Sequence, residues 1–332
     1  MKVLMFGWEY PPFNSGGLGV ACLGISEALA QKGVRVSFVL PQTIPLTSSN
    51  GVSFIFADDI LPRDKSRKIT AYPQSFEFDI NGKKKSFYGS GLLEEVMYYR
   101  RAGREIAKEY PSQDIIHAHD WLSYGAGISA KEILNKPLFS HIHATEFDRT
   151  GGISINEDVY DLEHEGFNKA DVVVSVSHYT KKIVMDKYDI SSEKITVVHN
   201  GVLPDTVPSE ELLNLSQLKR EGKKIVLFLG RLTLQKGPDY FLRAAEKIAA
   251  LDPEKKVVFL VAGGGDMMPQ LVRDTVAKGI SDRVFFLGFL RDKEHASVIA
   301  ASDVYVMSSV SEPFGIVPHN EEASHETNCN SN

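Results

Sequence analysis

Two cations stand on one short loop, where a predicted strand is followed by a predicted helix. Arg231 and Lys236 lie within Gly230–Gly237, which follows the apolar run Ile225–Leu229 and precedes a helix beginning at Pro238. A loop between the carboxyl end of a strand and a helix favours anions, because the first backbone N–H groups of the helix are unpaired. Glycine at both ends lets a ligand approach the backbone closely. These residues predict a diphosphate site.

Histidines and acids mark the ends of two other predicted strands. His117–Trp121 contains Asp120, which is either a polar contact to a substrate or the N-cap of the following helix. His141 and His143 point to the same face if their strand continues to its predicted end. A His-x-His pair also suggests a metal site, but no nearby carboxylate stands on a regular element with ligand geometry. We therefore expect no metal, and a histidine-bearing loop that contacts a polar substrate.

Three further loops follow predicted strands. Ser15–Gly19 is rich in glycine and opens a helix, which favours either phosphate binding through backbone N–H groups or a tight turn. Gly263–Gly265 permits a nucleotide to lie against the backbone, or forms a plain turn in which Asp266 caps the next helix. Glu312 is the only acid in its loop before the C-terminal tail, and an ordinary exposed glutamate is the alternative. Each loop alone leaves two interpretations open.

Taken together, the loops predict chemistry on a sugar nucleotide. Breaking the anomeric bond of such a donor develops negative charge on the diphosphate and positive charge on the sugar ring. Arg231 and Lys236 are suited to stabilise the first charge without a metal, through preorganised electrostatics. Glu312 is suited to hold the sugar hydroxyls or to stabilise the cationic ring.

The elements that must position these loops alternate regularly between strand and helix, which predicts an α/β fold. A polar stretch, 204–223, interrupts the alternation, so we expect it to link two doubly wound, Rossmann-like domains that face each other across a cleft. The first domain covers 1–203. The second covers 224–318 and is incomplete, because no helix follows its last strand. Residues 319–332 are almost devoid of apolar side chains and are expected to be disordered.

The predicted elements are as follows. The strands are Lys2–Phe6, Val34–Leu40, Val52–Phe56, Ser75–Ile80, Lys84–Tyr88, Asp114–His117, Lys136–His143, Asp171–Val176, Lys194–Val198, Ile225–Leu229, Val257–Ala262, Val284–Leu287 and Val304–Met307. The helices are Val20–Lys32, Leu93–Glu109, Trp121–Leu134, Glu157–Lys169, His178–Lys187, Tyr240–Ala250, Met267–Lys278 and Asp292–Ala300.

Composition excludes several classes of protein. The formal net charge of −6 argues against nucleic acid or an anionic membrane as the main partner. Cys22 and Cys329 stand far apart, so no disulfide framework is expected and a reducing, cytoplasmic location is the default. The first apolar run is too short for a signal peptide, and no stretch reaches the length of a membrane span.

These motifs also resemble a known family. In order along the chain they are Glu9-x-x-Pro12 with Gly16-Gly17-Leu18-Gly19, His119-Asp120-Trp121, His143, Asn200-Gly201-Val202, Gly230-Arg231 with Lys236-Gly237, Gly263-Gly264-Gly265-Asp266, and Ser311-Glu312-Pro313-Phe314-Gly315. The set, which covers Met1 to about Pro318, resembles retaining glycosyltransferases of the two-Rossmann GT-B architecture, in particular the glycogen and starch synthase group. The resemblance implies a first domain of the starch synthase catalytic type and a second of the group 1 glycosyl transferase type.

The resemblance also implies roles and a reaction. Arg231 and Lys236 resemble the pair that binds the donor diphosphate, His143 the histidine beside the transferred sugar, and Glu312 the acid that contacts that sugar. The resemblance implies further donor contacts at Gly16, Gly17, Gly230, Gly264, Asp266, Phe314 and Gly315. It implies residues on the acceptor side at Glu9, Asp120 and Asn200. The implied reaction transfers glucose from ADP-glucose or UDP-glucose to the non-reducing end of an α-1,4-glucan, with retention, without a metal and without a cofactor.

The chain departs from the family at its C-terminal end. The family places a second glutamate eight residues after the first, and here that position is Asn320. Family members continue through further helices, so we expect a truncated chain. Two alternatives to the glucan-synthesising enzyme follow. One is a weakly active or non-catalytic relative that only binds sugar nucleotide or glucan, and the other is a related retaining glycosyltransferase with a different sugar acceptor.

Overall fold

The computed structural model describes residues 1–14, 16–48, 51–62, 91–201, 215–290 and 292–315, with the backbone of the strands at 76–80 and 83–87. The predicted disordered tail and residues 204–214 of the predicted linker lie outside the described residues. The chain divides into two compact units, Met1–Gly201 and Val202–Asn332.

The first unit is built on a parallel sheet of seven strands in the order β3-β2-β1-β6-β7-β8-β9. Its inner strands are largely buried on both faces, as a doubly wound sheet requires. A separate antiparallel pair is formed by β4 and β5. The strands are β1 Lys2–Phe6, β2 Arg35–Leu40, β3 Val52–Phe56, β4 Phe76–Ile80, β5 Lys83–Phe87, β6 Ile115–His119, β7 Leu138–Ile142, β8 Val172–Ser175 and β9 Ile195–Val197.

Seven α-helices accompany this sheet in the part of the first unit that the structure describes. They are α1 Gly17–Gln31, α2 Ala57–Ile60, α3 Leu92–Glu109, α4 Trp121–Leu134, α5 Glu146–Thr150, α6 Glu157–Lys169 and α7 His178–Tyr188. Helix α4 is the most buried of them. Its Gly127 packs against Ala118 of β6, and the backbone of its Ala126 packs against Gly103 of α3. A Cβ at Gly103 would lie 2.5 Å from the carbonyl oxygen of Ala126, so glycine sets how closely α3 and α4 approach.

The second unit has a parallel sheet of four strands in the order β12-β11-β10-β13. Its two core clusters lie on opposite faces of this sheet, one including Phe228 and the other Leu227. The elements are α8 Leu215–Arg220, β10 Lys224–Leu229, α9 Pro238–Leu251, β11 Val257–Ala262, α10 Met268–Ala277, β12 Val284–Gly288, α11 Asp292–Ala301 and β13 Val304–Tyr305.

The predicted α/β class and the two parallel sheets are confirmed. Differences are local. Strand β6 continues to His119, two residues beyond its predicted end, because His119 pairs with His141 of β7 in the ladder. Strand β13 ends at Tyr305, and only Val304 and Tyr305 pair with β10. Helix α8 lies in the predicted linker and buries Leu215 against the second sheet. In the described residues, no helix combines the length and the apolarity needed to cross a membrane.

Candidate active site

Asp120 follows β6 with an unusual backbone conformation. Its φ of 59° and ψ of 168° fall in a region that residues other than glycine rarely adopt. Although Asp120 occupies the N-cap position of α4, its side chain makes no capping bond, so the N-cap interpretation is wrong. Instead Oδ1 accepts a hydrogen bond of 2.7 Å from the backbone N–H of His143. A strained backbone that aims a buried carboxylate at a neighbouring loop is typical of functional sites.

The Asp120 carboxylate is held in an environment of mixed charge. Its Oδ2 lies 3.7 Å from the guanidinium of Arg149, and the side chain is 3% exposed. Burial raises the pKa of Asp120 to about 6, against the opposing effect of Arg149 and of the backbone N–H groups of His143 and Ala144. Asp120 is therefore a carboxyl group that exchanges its proton near neutral pH, which suits proton transfer or hydrogen bonding to a substrate hydroxyl.

His143 lies directly after β7 and beside Asp120. Its Nε2 is 3.0 Å from Nδ1 of His119, and its Nδ1 is buried without a hydrogen-bond partner among the described residues. Desolvation lowers the pKa of His143 to about 3, so the imidazole is neutral at physiological pH. The same cause lowers the pKa of His117, also to about 3. A neutral ring at this place can donate to or accept from a sugar hydroxyl.

Arg149 and Glu163 are positioning residues that the sequence interpretation did not select. Arg149 donates to Oε1 of Glu163 at 2.8 Å and to the backbone carbonyl of Ala144, one residue after His143. Oε2 of Glu163 accepts from the backbone N–H of Glu146 at 3.0 Å and from the hydroxyl of Tyr188. This network ties the loop that carries His143 to α6 and α7. In the sequence, the only indication of this network is the high density of charged residues in 146–149.

Glu9 and the glycine-rich loop meet at the start of α1. Oε1 of Glu9 accepts a hydrogen bond of 3.1 Å from the backbone N–H of Gly19, where the helix dipole favours a carboxylate. A Cβ at Gly19 would lie 2.6 Å from Cβ of Asn14, so the turn needs glycine there. Gly16 is the N-cap of α1 and Gly17 its first residue, which places both at a helix N-terminus after β1. The predicted position of the loop is thus observed, and its role stays a prediction.

Asn200 lies at the same edge of the sheet but away from Asp120 and His143. It follows β9, the edge strand, which is separated from β7 by β8. Its Oδ1 is buried and has no hydrogen-bond partner in the described part of the chain. An unsatisfied acceptor of this kind is suited to a ligand hydroxyl, although no observed contact joins Asn200 to the other site residues of this unit.

In the second unit, the loop 230–237 has the predicted setting. It follows β10, contains a short 3-10 helix at Leu234–Lys236, and leads into α9 with Pro238 at the first helical position. Gly237 has φ 61°, and a Cβ there would overlap the carbonyl oxygen of Ser308, which belongs to the loop after β13. Ser308 also donates to the carbonyl oxygen of Gly237 at 2.8 Å. The loops after β10 and β13 are therefore in direct backbone contact.

This contact brings Lys236 and Glu312 together. The ammonium of Lys236 lies 2.8 Å and 2.6 Å from the two carboxylate oxygens of Glu312, and Ser309 donates to one of them at 2.9 Å. Both side chains are about four-fifths buried. The alternative that Glu312 is an ordinary exposed loop residue is therefore wrong.

The ion pair borders a cavity of about 50 Å³. Of the predicted site residues, this cavity is lined by Gly230, Lys236, Glu312 and Gly315. Arg231 and Phe314 adjoin lining residues in sequence and are partly buried. A larger hollow of about 680 Å³ lies at the amino ends of β1, β2 and β3, where parallel sheets do not bind their substrates. Position in the fold, rather than volume, therefore selects the smaller cavity as the donor-site candidate.

The glycines after β11 have different roles from one another. A Cβ at Gly263 would overlap the carbonyl oxygen of Gly230, and one at Gly265 would overlap that of Leu232, so both are required by the neighbouring loop. Gly264 has nothing within 4 Å of its Cβ position, which leaves room for a ligand. Helix α10 begins at Met268 with Met267 at its N-cap, one residue after Asp266.

Two groups of side chains in the described residues could hold a metal ion. One consists of Cys22, His119 and His143, and the other of His117, His119 and His141. In each group, one ligand atom from every member lies within 4.8 Å of the others. Both groups are in the first unit, where the histidines lie on β6, on β7 or directly after β7, and Cys22 lies on α1.

Family models cover almost the whole chain. A model described as Glycosyltransferase Family 4 matches residues 15–206, and one described as Glycosyl transferases group 1 matches residues 210–321. An uncharacterized glycosyltransferase of Methanocaldococcus jannaschii is 30% identical over 96% of this chain and 77% of its own length. A glycogen synthase of Mycobacterium tuberculosis is 26% identical over 96% and 74%, and a D-inositol 3-phosphate glycosyltransferase of Corynebacterium diphtheriae is 24% identical over 94% and 72%.

Solved structures share the fold at lower identity. Sucrose-phosphate synthase from Thermosynechococcus elongatus superposes with a TM-score of 0.74 at 18% identity, covering 96% of this chain and 78% of that chain. HepE of Anabaena, in complex with UDP and glucose, gives 0.67 at 18% identity over 97% and 78%. Starch Synthase IV of Arabidopsis thaliana, bound to ADP and acarbose, gives 0.61 at 16% identity over 94% and 79%.

Proposed function

The chain belongs to glycosyltransferase family 4, and from that premise we propose that it is a cytoplasmic, retaining hexosyltransferase. The proposed donor is ADP-glucose or UDP-glucose, and the proposed acceptor is the non-reducing end of an α-1,4-glucan. In the transfer, the bond between the anomeric carbon and the diphosphate breaks, and a bond from that carbon to an acceptor oxygen forms. The hydroxyl proton passes to the departing diphosphate.

The observation that carries the proposal is the Lys236–Glu312 ion pair beside a cavity at the carboxyl ends of β10 and β13. In the ion pair, the carboxylate of Glu312 neutralises the ammonium of Lys236. A donor diphosphate competes with Glu312 for Lys236, because it is also an anion and accepts hydrogen bonds. The displaced carboxylate then lies next to the attached sugar, where it accepts hydrogen bonds from hydroxyl groups. Lys236 and Arg231 stabilise the charge that develops on the leaving diphosphate.

Roles in binding are also proposed for residues of the first unit. Neutral His143 contacts the transferred sugar, and Asp120 holds the backbone of His143 in place on the acceptor side. Gly16 and Gly17, at the start of α1, contact the diphosphate through backbone N–H groups. Glu9 and Asn200 belong to the acceptor side. Among the further donor contacts are Gly264, Asp266, Phe314 and Gly315.

Names of similar proteins support the choice of donor and acceptor. The similar proteins include a glycogen synthase, a starch synthase bound to ADP and acarbose, and a protein in complex with UDP and glucose. These names favour a glucose donor with either base, and a glucan acceptor, for this chain as well.

The test is sugar transfer by the purified chain from radiolabelled ADP-glucose and UDP-glucose to glycogen. We expect incorporation with at least one donor. Lys236→Ala and Glu312→Ala should each lower kcat/KM by about 10²–10³-fold, as removal of a group that stabilises developing charge does. Lys278→Ala is the matched control, because Lys278 forms a 2.6 Å ion pair with Glu246 elsewhere in the same unit. The control should keep wild-type activity.

Two results would contradict the proposal. The first is a chain that transfers sugar from neither donor to any carbohydrate acceptor. If the same sample unfolds cooperatively, and is therefore folded, this result would exclude enzyme activity. Equal losses in Lys236→Ala and Lys278→Ala would assign the effect to stability rather than to the site.

A different acceptor is the second candidate, and it is favoured by the similarity to D-inositol 3-phosphate glycosyltransferases. The same assay with D-inositol 3-phosphate in place of glycogen distinguishes the two acceptors. A chain that binds UDP-glucose or ADP-glucose in calorimetry but transfers sugar to neither acceptor would instead be the non-catalytic relative.

A further inference from the structure

Four imidazoles stack on one face of the first sheet. His117 and His119 are two residues apart on β6, so their side chains share a face, and His119 pairs with His141 of the adjacent β7. His143 follows on the same side. The ring centroids of His117 and His119 are 4.3 Å apart, and those of His117 and His141 are 5.4 Å apart with nearly parallel planes. A parallel sheet thus collects several nitrogen ligands where its strands are normally apolar.

Three of these rings have the geometry of a metal site. One nitrogen each from His117, His119 and His141 lies within 4.8 Å of the other two, and Nε2 of His117 is 3.3 Å from Nδ1 of His141. A tetrahedral ion with bonds of about 2.1 Å holds its ligand nitrogens about 3.4 Å apart. The 3.3 Å between Nε2 of His117 and Nδ1 of His141 is close to that separation.

Two buried nitrogens of this three-histidine group lack a hydrogen-bond partner in the described residues. Nε2 of His119 and Nε2 of His141 have no hydrogen-bond partner in the described residues, and these two residues are 0% and 2% exposed. An unpaired polar atom in a core costs free energy, so it needs a partner such as an ion. The hydrogen bonds between the rings join Nε2 of His117 to Nδ1 of His141, and Nδ1 of His119 to Nε2 of His143, and they leave both of these Nε2 atoms unpaired.

We propose that His117, His119 and His141 bind a divalent transition-metal ion of the zinc class. Three imidazoles form a common ligand set for Zn²⁺ and leave a fourth position for water. His117 is partly exposed and gives the ion a route to two buried rings. If Nε2 of His119 binds the ion, its Nδ1–H still donates to Nε2 of His143 at 3.0 Å. This is the usual arrangement in which a metal-bound histidine donates through its other nitrogen.

The group of Cys22, His119 and His143 competes for the same ion, because His119 belongs to both groups. Each group contains two buried nitrogens without a partner in the described residues, and we favour the three-histidine group because His117 opens it to solvent. Cys22 is fully buried, and burial disfavours the thiolate that metal binding requires. The proposal is independent of sugar transfer, and its readout is binding rather than activity.

The test uses the full-length, metal-free chain with Zn²⁺ and Co²⁺ as probes. Isothermal titration should show one Zn²⁺ per chain, and bound Co²⁺ should give the visible absorption of a four-coordinate ion. His117→Gln and His141→Gln should each weaken Zn²⁺ binding by at least about tenfold, because each removes a direct ligand. His164→Gln is the control, since His164 lies on α6 outside the cluster. It should bind Zn²⁺ as the wild type does.

Three outcomes would overturn the proposal. The first is a folded wild type that binds neither ion. The second is Zn²⁺ binding that His164→Gln weakens as much as His117→Gln does. The third is Zn²⁺ binding that survives both His117→Gln and His141→Gln but is lost in Cys22→Ser, which would assign the ion to the competing group. Circular dichroism of each variant confirms folding, and the second histidine variant keeps the test decisive if the first does not fold.

Discussion

The buried carboxyl group of Glu163 is expected to make the stability of this protein depend on pH. It accepts hydrogen bonds from Arg149, from the backbone of Glu146 and from Tyr188, and it is fully buried. Burial raises its pKa from 4.5 to about 7, more than Arg149 and the hydrogen bonds lower it. The folded protein therefore holds a proton on Glu163 at pH values where the unfolded chain has released it.

This pKa predicts a pH dependence of stability. Between pH 4.5 and about 7, the folded state binds more protons at Glu163 than the unfolded state does, so this residue's contribution to the free energy of unfolding falls as pH rises. In Glu163→Gln that contribution is absent. We expect the stability difference, wild type minus variant, to decrease by a few kcal/mol from pH 5 to pH 8, as urea unfolding at several pH values measures.

The control residue is Glu165, whose contribution to stability should change with pH in the opposite direction. Glu165, two residues away, pairs with Arg100 at 2.7 Å, and its hydrogen bonds to Arg100 lower its pKa. Its contribution to stability is present above the ordinary pKa and is lost as pH falls through the folded value. Glu165→Gln should therefore show no decrease of the difference between pH 5 and pH 8. A slope of the same sign in both variants would rule out this account of Glu163.

Alanine substitutions at two neighbouring glycines should have very different effects on stability. Gly263 has φ 135°, and a Cβ there would overlap the carbonyl oxygen of Gly230, whereas Gly264 has open space around its Cβ position. Gly263→Ala should destabilise the second unit by about 2–4 kcal/mol, because strain and overpacking add. Gly264→Ala should change stability by less than about 0.5 kcal/mol. Thermal unfolding compares the two, and equal losses would contradict the packing described here.

At the scale of elements, a short helix holds the loop after β7 in place. Helix α5 is a single turn whose N-cap, Thr145, forms a capping box with Asp148. Arg149, near its end, lies close to Asp120, Glu146 and Glu163, with its side chain 8% exposed. A turn of this length is not stable alone, so its position depends on these contacts.

Removing the positive charge of Arg149 from this cluster should therefore be costly. Arg149→Met should destabilise the chain by about 3–5 kcal/mol, because it leaves buried carboxylates without their partner. Adding Glu163→Gln should recover part of that loss, since it removes one of the uncompensated charges. Urea unfolding of the wild type, both single variants and the double variant measures the coupling.

A solvent-exposed ion pair serves as the control for Arg149→Met. Arg104 and Glu132 form an ion pair with about half of each side chain exposed. Arg104→Met should cost no more than about 1 kcal/mol. If Arg149→Met cost as little as Arg104→Met, the network would not hold the loop.

At the scale of the whole molecule, each unit has hydrophobic cores of its own. One large cluster in Met1–Gly201 contains the buried residues of the seven-stranded sheet and its helices, and two smaller clusters cover the faces of the second sheet. A unit with its own core is able to fold alone. Both tryptophans, Trp8 and Trp121, are buried in the first unit, so tryptophan fluorescence reports on that unit only.

A fragment of residues 1–201 should consequently fold by itself. We expect a single cooperative transition, with fluorescence and circular dichroism coinciding. In the full-length chain, the fluorescence transition should match that of the fragment, whereas circular dichroism should also report the second unit. A fragment without cooperative unfolding would show that the first unit needs the rest of the chain.

Much of the fold could be predicted because its signals are local. The strand at Val52–Phe56 and the helix at Trp121–Leu134 have the predicted bounds, and Pro238 starts α9 as its fixed φ favours. Errors occurred where a partner distant in sequence decides the outcome. His119 extends β6 because β7 lies beside it, and Leu215 makes a helix of part of the predicted linker because a sheet is there to cover.

The sequence by itself determined the alternation of elements and the identity of the polar loops, since periodicity, glycine and proline act within a few residues. Only the tertiary structure decided which polar groups meet. Lys236 pairs with Glu312 across 76 positions, and Asp120 receives the N–H of His143 across 23, because parallel strands bring separate loops to one edge of a sheet. Burial then set the protonation of Asp120, His143 and Glu163, which no local pattern encodes.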